Sequence, residues 1–332
     1  MNSTKKIAVF GCKSTTQFIL EALQEKYSVD CLISIDREKG QHMKVADYQD
    51  LQAYAASQGI DFYQAKKYSL KSEEDHSFLA ERKIDIAFVV GWQRLIPENI
   101  LKTFSTGAFG MHGSAMNLPL GRGRSPMNWS IIEGKKMFYT NLFMYDAGVD
   151  SGSVLDSYKF SINEYDTGET MHFKNTLSMK HLILKNMDRL ISGNFSLEKQ
   201  PDIPASYYPK RTETDSLIEW GEDVYQIERF IRAVAPPFNG AYTFLNGNKI
   251  RILRANVFDH QDFGYSQETS GKILEVFPNG KFLVKCYGGL LLVHEFEGKA
   301  SPEKGEILNQ GLEEKKVFPR NAFGGFDIYE NE

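Results

Sequence analysis

The amino-terminal stretch constrains the fold more than any other. Ile7-Ala8-Val9-Phe10 is a wholly apolar run that Gly11 ends. From Ser14 onward Phe18, Ile19, Ala22 and Leu23 keep helical spacing, with Ser14 or Thr15 available as N-cap. Val29 to Ile35 is apolar again. Strand, helix and strand in that order predict a βαβ unit and, with it, a parallel, doubly wound sheet. The turn Gly11-Cys12-Lys13-Ser14-Thr15 lacks the spaced glycines of a dinucleotide fingerprint. Asp36, after the second strand, is therefore not read as a ribose ligand.

The pattern continues downstream. Asp47 to Gln58 reads as a helix closed by Gly59, and Ser77 to Lys83 as another. Asp85 to Val90 is a buried strand that stops at Gly91-Trp92-Gln93-Arg94-Leu95. Ligands of open α/β sheets sit beyond the carboxyl ends of strands, so this turn is a candidate pocket wall. From pattern alone, Trp92 and Leu95 could equally be capping the core. Met137 to Tyr145 and Val154 to Ile162 read as strands bracketing Asp150 like a hairpin, and Thr170 to Leu190 as a long amphipathic helix ended by Gly193. His172 and His181 fall on different faces of it and read as surface or filler side chains.

Lys199 to Pro209 turns to Pro, Asp, Ser and Tyr, a linker composition. Beyond it, a helix from Val224 to Val234 stops at Pro236-Pro237. Five short β-prone runs follow, with Asn246-Gly247 and Pro278-Asn279-Gly280 as turns. The expected architecture is α/β: a Rossmann-like, mostly parallel sheet over residues 1–205, then a smaller OB-like antiparallel β-barrel over residues 206–332.

Composition excludes several classes. With 39 Lys and Arg against 43 Asp and Glu, the net charge is −4, so no global basic field attracts nucleic acid. Cys12, Cys31 and Cys286 are odd in number and widely spaced, which suits a reducing compartment and neither a disulfide framework nor a metal site. No apolar run approaches the length of a membrane span, and the start carries no signal-peptide pattern. A cytoplasmic address is expected.

The chemistry concentrates between Gly107 and Leu155. His112 follows Ala108-Phe109 and should stand at the carboxyl end of a strand, where Gly107, Gly110, Gly113 and Ser114 leave room for a ligand. Asp150, between Gly148 and Gly152, is either a turn former or the carboxylate that orients the imidazole. Arg122 and Arg124 flank Gly123, and arginine forks suit phosphate or carboxylate, although a solvated loop fits them equally. Tyr207, Tyr208, Lys210 and Arg211 again couple basic groups with aromatic faces. No metal-ligand spacing and no nucleophile elbow accompanies these residues, which favours direct transfer between two bound substrates.

The run His112-Gly113-Ser114, Leu118-Pro119, Arg122-Gly123-Arg124, Pro126, Asn128-Trp129 and Asp150-Ser151-Gly152 resembles the signature of the 10-formyltetrahydrofolate-dependent formyltransferases. The likeness continues through Tyr208-Pro209-Lys210-Arg211-Thr212, Glu219-Trp220 and Ile231-Arg232-Ala233-Val234 into the second domain. It implies an Asn-His-Asp catalytic set, of which His112 and Asp150 match two members. The family's Asn lies two positions before the His, where this chain has Gly110. Losing one oxyanion donor typically costs about 10²–10³ in rate. The loop after His112 is longer than the family's and carries Asn117; Asn117 or another ordered donor, a backbone N–H or His112 as imidazolium, is expected to substitute, the alternative being a slow or inactive enzyme. The resemblance also places the pterin of 10-formyltetrahydrofolate between the Gly91–Ile96 and Tyr145–Asp150 turns, near Trp92, Arg94, Leu95, Asp146 and Asp150.

Three readings follow from the resemblance: transfer to the amine of a dTDP- or UDP-linked amino sugar destined for surface polysaccharide, transfer to the methionyl group of a charged tRNA, or a weakly catalytic folate- or nucleotide-binding relative. The acidic balance and the short Gly121-Arg122-Gly123-Arg124 loop favour the sugar, held by Arg122, Arg124, Tyr208, Lys210 and Arg211, over a nucleic acid. Neither a membrane nor a metal partner is expected, and the OB-like module offers a surface for a homodimer.

Overall fold

The computed structural model describes residues 5–314, 318–320, 322 and 326. The first part runs β1 (Ile7–Phe10), α1 (Ser14–Gln24), β2 (Cys31–Ser34), α2 (Arg37–His42), α3 (Gln52–Ser57), β3 (Asp61–Gln64), α4 (Glu73–Arg82), β4 (Ile86–Val89) and α5 (Glu98–Leu101). It continues through β5 (Gly107–Ser114), β6 (Arg122–Gly123), α6 (Pro126–Ile132), β7 (Met137–Met144), β8 (Val154–Ser161) and α7 (Gly168–Ser192). Seven strands form one sheet in the order β3-β2-β1-β4-β5-β7-β8. The first five are parallel, and β7 and β8 add antiparallel at the edge. This is the Rossmann-like sheet the sequence predicts.

Both faces are covered, which is why β1 carries no polar residue. Ile7 and Val9 pack with Ile19, Leu20 and Leu23 of α1 and Leu182, Ile183 and Met187 of α7. Ala8 and Phe10, on the alternate face, pack with Leu79, Ile100 and Phe104. Thr167 caps α7 by accepting from Thr170 N, and Gly193 ends the helix in a left-handed conformation.

The structure shortens one expected helix and adds another. Only Gln52–Ser57 of the Asp47–Gln58 segment is helical, because Asp47 takes φ +56° and Tyr48 bridges to Lys13. Helix α2 follows directly on Asp36, whose carboxylate accepts from Lys39 N at 2.6 Å. Asp36 is an N-cap.

The second part holds β9 (Tyr207–Tyr208), a 3₁₀ turn (Glu213–Ser216), α8 (Val224–Val234), β10 (Ala241–Leu245), β11 (Asn248–Asp259), β12 (Ile273–Val276), β13 (Phe282–Cys286) and β14 (Gly289–Gly298). Its five strands form an antiparallel sheet in the order β10-β11-β14-β13-β12. Residues 306–309 bond to both edges: Ile273 N donates to Glu306 O, Leu308 N to Gly271 O, and Asn309 and Phe244 exchange a pair of bonds. That strap closes the sheet into a barrel and removes its open edges.

The two parts share a core. Ile131 of α6, Phe138 of β7 and Met171 of α7 belong to the same apolar cluster as Ile227 and Ile231 of α8 and Ile252 of β11. Asn128 Nδ2 donates to Ala233 O at 2.7 Å across this contact. The expected linker is strapped down as well, with β9 pairing in parallel with β6. That pairing fixes the Arg122–Arg124 loop behind His112.

Candidate active site

Strand β5 presents Ala108, Gly110, His112 and Ser114 on one face, by the alternation of a strand. His112 is 6% exposed. Its Nδ1 stands 3.3 Å from Asp150 Oδ2, and its Nε2 lies 2.8 Å from Gly121 O. A carbonyl and a carboxylate both only accept, so each ring nitrogen faces an acceptor; the neutral tautomer protonated at Nδ1 donates to Asp150 and leaves the Nε2 lone pair to take a proton once Gly121 O is displaced.

Asp150 reaches His112 from the excursion between β7 and β8. It adopts φ +49°, a left-handed conformation that Asp tolerates better than most residues. Two hydrogen bonds hold it, Oδ2 accepting from Gly123 N at 3.0 Å and its carbonyl from Gln200 Nε2 at 2.7 Å, and the same Gln200 Nε2 donates to Gly152 O at 2.8 Å. Gly123 itself takes φ +94° with Tyr208 O only 2.6 Å from any added Cβ, so this close approach needs glycine.

The other expected site residues divide. Trp92 is buried against Phe10 and Tyr68, and its indole Nε1 is a buried donor with no partner among the described residues. Arg94 lies 5.3 Å over the Tyr68 ring and donates to Gln93 O, while Leu95 is largely exposed. Asp146 ties its own turn by accepting from Gly148 N and Ser151 Oγ. With Tyr145, Ala147, Gly148, Glu98, Leu101 and Lys102 it lines a hollow of ≈ 490 Å³. Asn117 sits exposed in the loop after β5, where its carbonyl accepts from Leu120 N. Among the described residues no hydrogen bond joins its carboxamide to His112 or Asp150.

Arg122 Nη2 donates to Gln200 Oε1 at 2.6 Å, while its Nε is buried without a partner among the described residues. Arg124 binds the Tyr208 carbonyl through its main chain. Tyr208 itself is core: 1% exposed, stacked on Trp129 and donating its hydroxyl to Glu133. Lys210 is exposed. Arg211 lies 4.9 Å over Trp129 and 5.6 Å from Phe230, with Nη2 donating to Asp215 O. Burial pushes its pKa down to about 10, against the pull of Asp215. The Tyr-Pro-Lys-Arg motif thus puts two of its expected ligand-binding groups, Tyr208 and Arg211, into the packing between the two parts.

Three residues beside the site escape the sequence. Asn141 pairs with His112 across β5 and β7, buried, with Oδ1 accepting from Ser157 Oγ at 2.6 Å. Tyr145 fills the space over Gly110: a Cβ there would stand 1.7 Å from its Cε2 and 2.6 Å from its Cζ. Lys13, half-buried before α1, has its pKa lowered by burial first; Cys12 and Asp47 pull it up and the like charge of Arg124 lowers it further. The turn after β1 carries a lysine where a dinucleotide site would carry glycine.

Two family models match the chain: "Formyl transferase" over residues 5–185 and "Formyl transferase, C-terminal domain" over residues 210–310. Methionyl-tRNA formyltransferase of Caldanaerobacter subterraneus subsp. tengcongensis is 28% identical over 299 residues, 88% of this chain and 92% of the relative. The bifunctional polymyxin resistance protein ArnA of Wigglesworthia glossinidia brevipalpis is 31% identical over 243 residues, 70% of this chain and 36% of ArnA. Among solved structures, the N-formyltransferase of Helicobacter canadensis in complex with folinic acid and dTDP-3-aminofucose superposes with a TM-score of 0.64 at 20% identity, covering 88% of this chain and all of that one. WlaRD, a sugar 3N-formyl transferase, gives 0.64 at 19% identity over 90% of this chain. The chain belongs to the formyl transferase family and is a formyl-transferring enzyme.

Proposed function

We propose that the enzyme moves a formyl group from 10-formyltetrahydrofolate to the amine of a nucleotide-linked amino sugar. The observation that carries this reading is the His112–Asp150 pair set against the Arg122–Arg124 loop, where Gly123 N donates to Asp150 Oδ2 at 3.0 Å. The arginine forks of that loop suit a diphosphate, whereas an extended nucleic acid calls for a basic surface that a net charge of −4 does not favour. A dTDP or UDP diphosphate held there leaves the sugar amine to approach His112.

The hollow beside Tyr145, Asp146 and Gly148 suits a flat polar ring held largely by main-chain groups. The donor supplies the formyl group, already activated. The protein's part is to orient the amine and move its proton. His112 Nδ1 is held by Asp150, so Nε2 is the exchangeable position, and an incoming amine takes the place of the Gly121 carbonyl as its partner. Asp150, held by Gly123 N–H at its carboxylate and by Gln200 at its carbonyl, steadies the charge the ring gains.

Methionyl-tRNA formyltransferase is the second reading, favoured by relatives of that name that span about nine tenths of their own length with this chain. A panel of dTDP- and UDP-linked amino sugars, assayed beside charged initiator tRNA, separates the two. Formamide product from a sugar supports the first. Transfer to tRNA alone, weakening steeply with salt, supports the second. No described helix is long and apolar enough to cross a membrane.

A further inference from the structure

The family's carboxamide position is Gly110, and the ring of Tyr145 occupies the space above it. A Cβ on Gly110 would meet Tyr145 Cε2 at 1.7 Å and Cζ at 2.6 Å, so the ring edge that bears the hydroxyl stands where a side chain from residue 110 would begin. The placement is built in. Tyr145 N donates to Ala108 O at 2.8 Å, directly beyond the β5–β7 ladder, and the ring stacks on Phe143, which is paired with Gly110. By strand alternation Tyr145 shares the sheet face of Gly110 and His112. No hydrogen bond engages its hydroxyl among the described residues, and the residue lines the hollow beside the site.

We propose that the Tyr145 hydroxyl is the hydrogen-bond donor to the formyl oxygen during transfer, taking over the position that Gly110 vacates. The inference rests on the formyl-transfer reading but not on which amine accepts. In the step it serves, the amine lone pair forms a bond to the formyl carbon and the C=O pair moves onto oxygen, where the Tyr145 O–H donates. The amine proton passes to His112. The pair then returns from oxygen, the bond from carbon to the donor nitrogen breaks, and that nitrogen takes up the proton from His112. Tyr145 keeps its own proton throughout: burial first, and the nearby charge of Asp150 second, raise its phenol well above the ordinary value. A neutral O–H aimed at developing negative charge is the kind of donor whose removal costs about 10²–10³ in rate.

Tyr145→Phe keeps the ring over Gly110 and removes only the hydroxyl. Two readouts test it. The first is the infrared carbonyl band of formyl-labelled 10-formyltetrahydrofolate bound to the enzyme without acceptor; the band is expected lower in the wild type than in Tyr145→Phe, since a hydrogen bond weakens the C=O bond. The second is single-turnover formyl transfer with the acceptor the wild type uses, expected to slow about 10²-fold or more in Tyr145→Phe with donor affinity unchanged. The pair Gly110→Asn/Tyr145→Ala, which returns a carboxamide to the vacated space, is expected to recover part of that loss. An unchanged carbonyl band in Tyr145→Phe, or a wild-type transfer rate, overturns the proposal. A failure of the sugar reading leaves the infrared arm intact and shows itself instead as wild-type enzyme that formylates no sugar.

Discussion

His112 Nδ1 stands 3.3 Å from Asp150 Oδ2, although the two residues come from a strand interior and from the excursion between two later strands. Asp150→Asn keeps an oxygen to accept from Gly123 N–H and suits the left-handed backbone at this position, so the loop should hold. What it removes is the charge opposite the imidazole. Turnover is expected to fall about 10²-fold or more with the thermal midpoint nearly unchanged, measured by steady-state kinetics beside thermal melts. Equal losses in stability and activity would make Asp150 a loop anchor instead.

Gly110→Ala puts a methyl group into the Tyr145 ring. Overpacking of this kind costs about 1–3 kcal/mol. The same change should cost much less in a Tyr145→Ala background, and a double-mutant cycle from urea unfolding measures the difference. Additive effects would mean that the ring does not sit over Gly110.

Arg211 is expected to matter for stability and not for substrate. Its guanidinium lies against Trp129 and Phe230 and donates to Asp215 O. A lysine can neither stack as a plane nor reproduce the fork. Arg211→Lys should cost about 2 kcal/mol in urea unfolding and leave KM for the acceptor unchanged. A raised KM with unchanged stability would restore Arg211 to the ligand site.

These outcomes separate what the sequence discloses from what it hides. Period and apolar runs disclose β1, α1, α7, α8 and the barrel strands, because burial on two faces or on one helical stripe writes itself into residue order. His112 and Asp150 are legible through the motif around them. Tyr208 and Arg211 are not: a tyrosine and an arginine look alike in sequence whether they meet a nucleotide or Glu133 and Trp129. Tyr145 is hidden for a different reason. Its meaning depends on Gly110 across a strand pair, and no local pattern joins the two.

His172 should make stability depend on pH. It lies within reach of Thr15 Oγ1 at 3.2 Å. Its pKa is lowered by burial first; Asp47 and Glu169 pull it up and Lys13 pushes it down. The folded protein therefore resists the proton that the unfolded chain takes up near its ordinary value of about 6.5. Stability from this residue is full above that value and declines as pH falls from there towards the lowered pKa. Urea midpoints of the wild type and His172→Gln across pH 7.5 to 5, approximate bounds set by that window, should converge at the acid end. Parallel curves would contradict the assignment.

The central claim is that His112 moves the proton in formyl transfer. Single-turnover transfer from saturating 10-formyltetrahydrofolate to a saturating amino-sugar nucleotide, wild type against His112→Asn, tests it most directly. The rate is expected to fall by about 10²–10⁴ with the donor still bound at its wild-type affinity. A His112→Asn enzyme that transfers the formyl group at the wild-type rate would contradict the account.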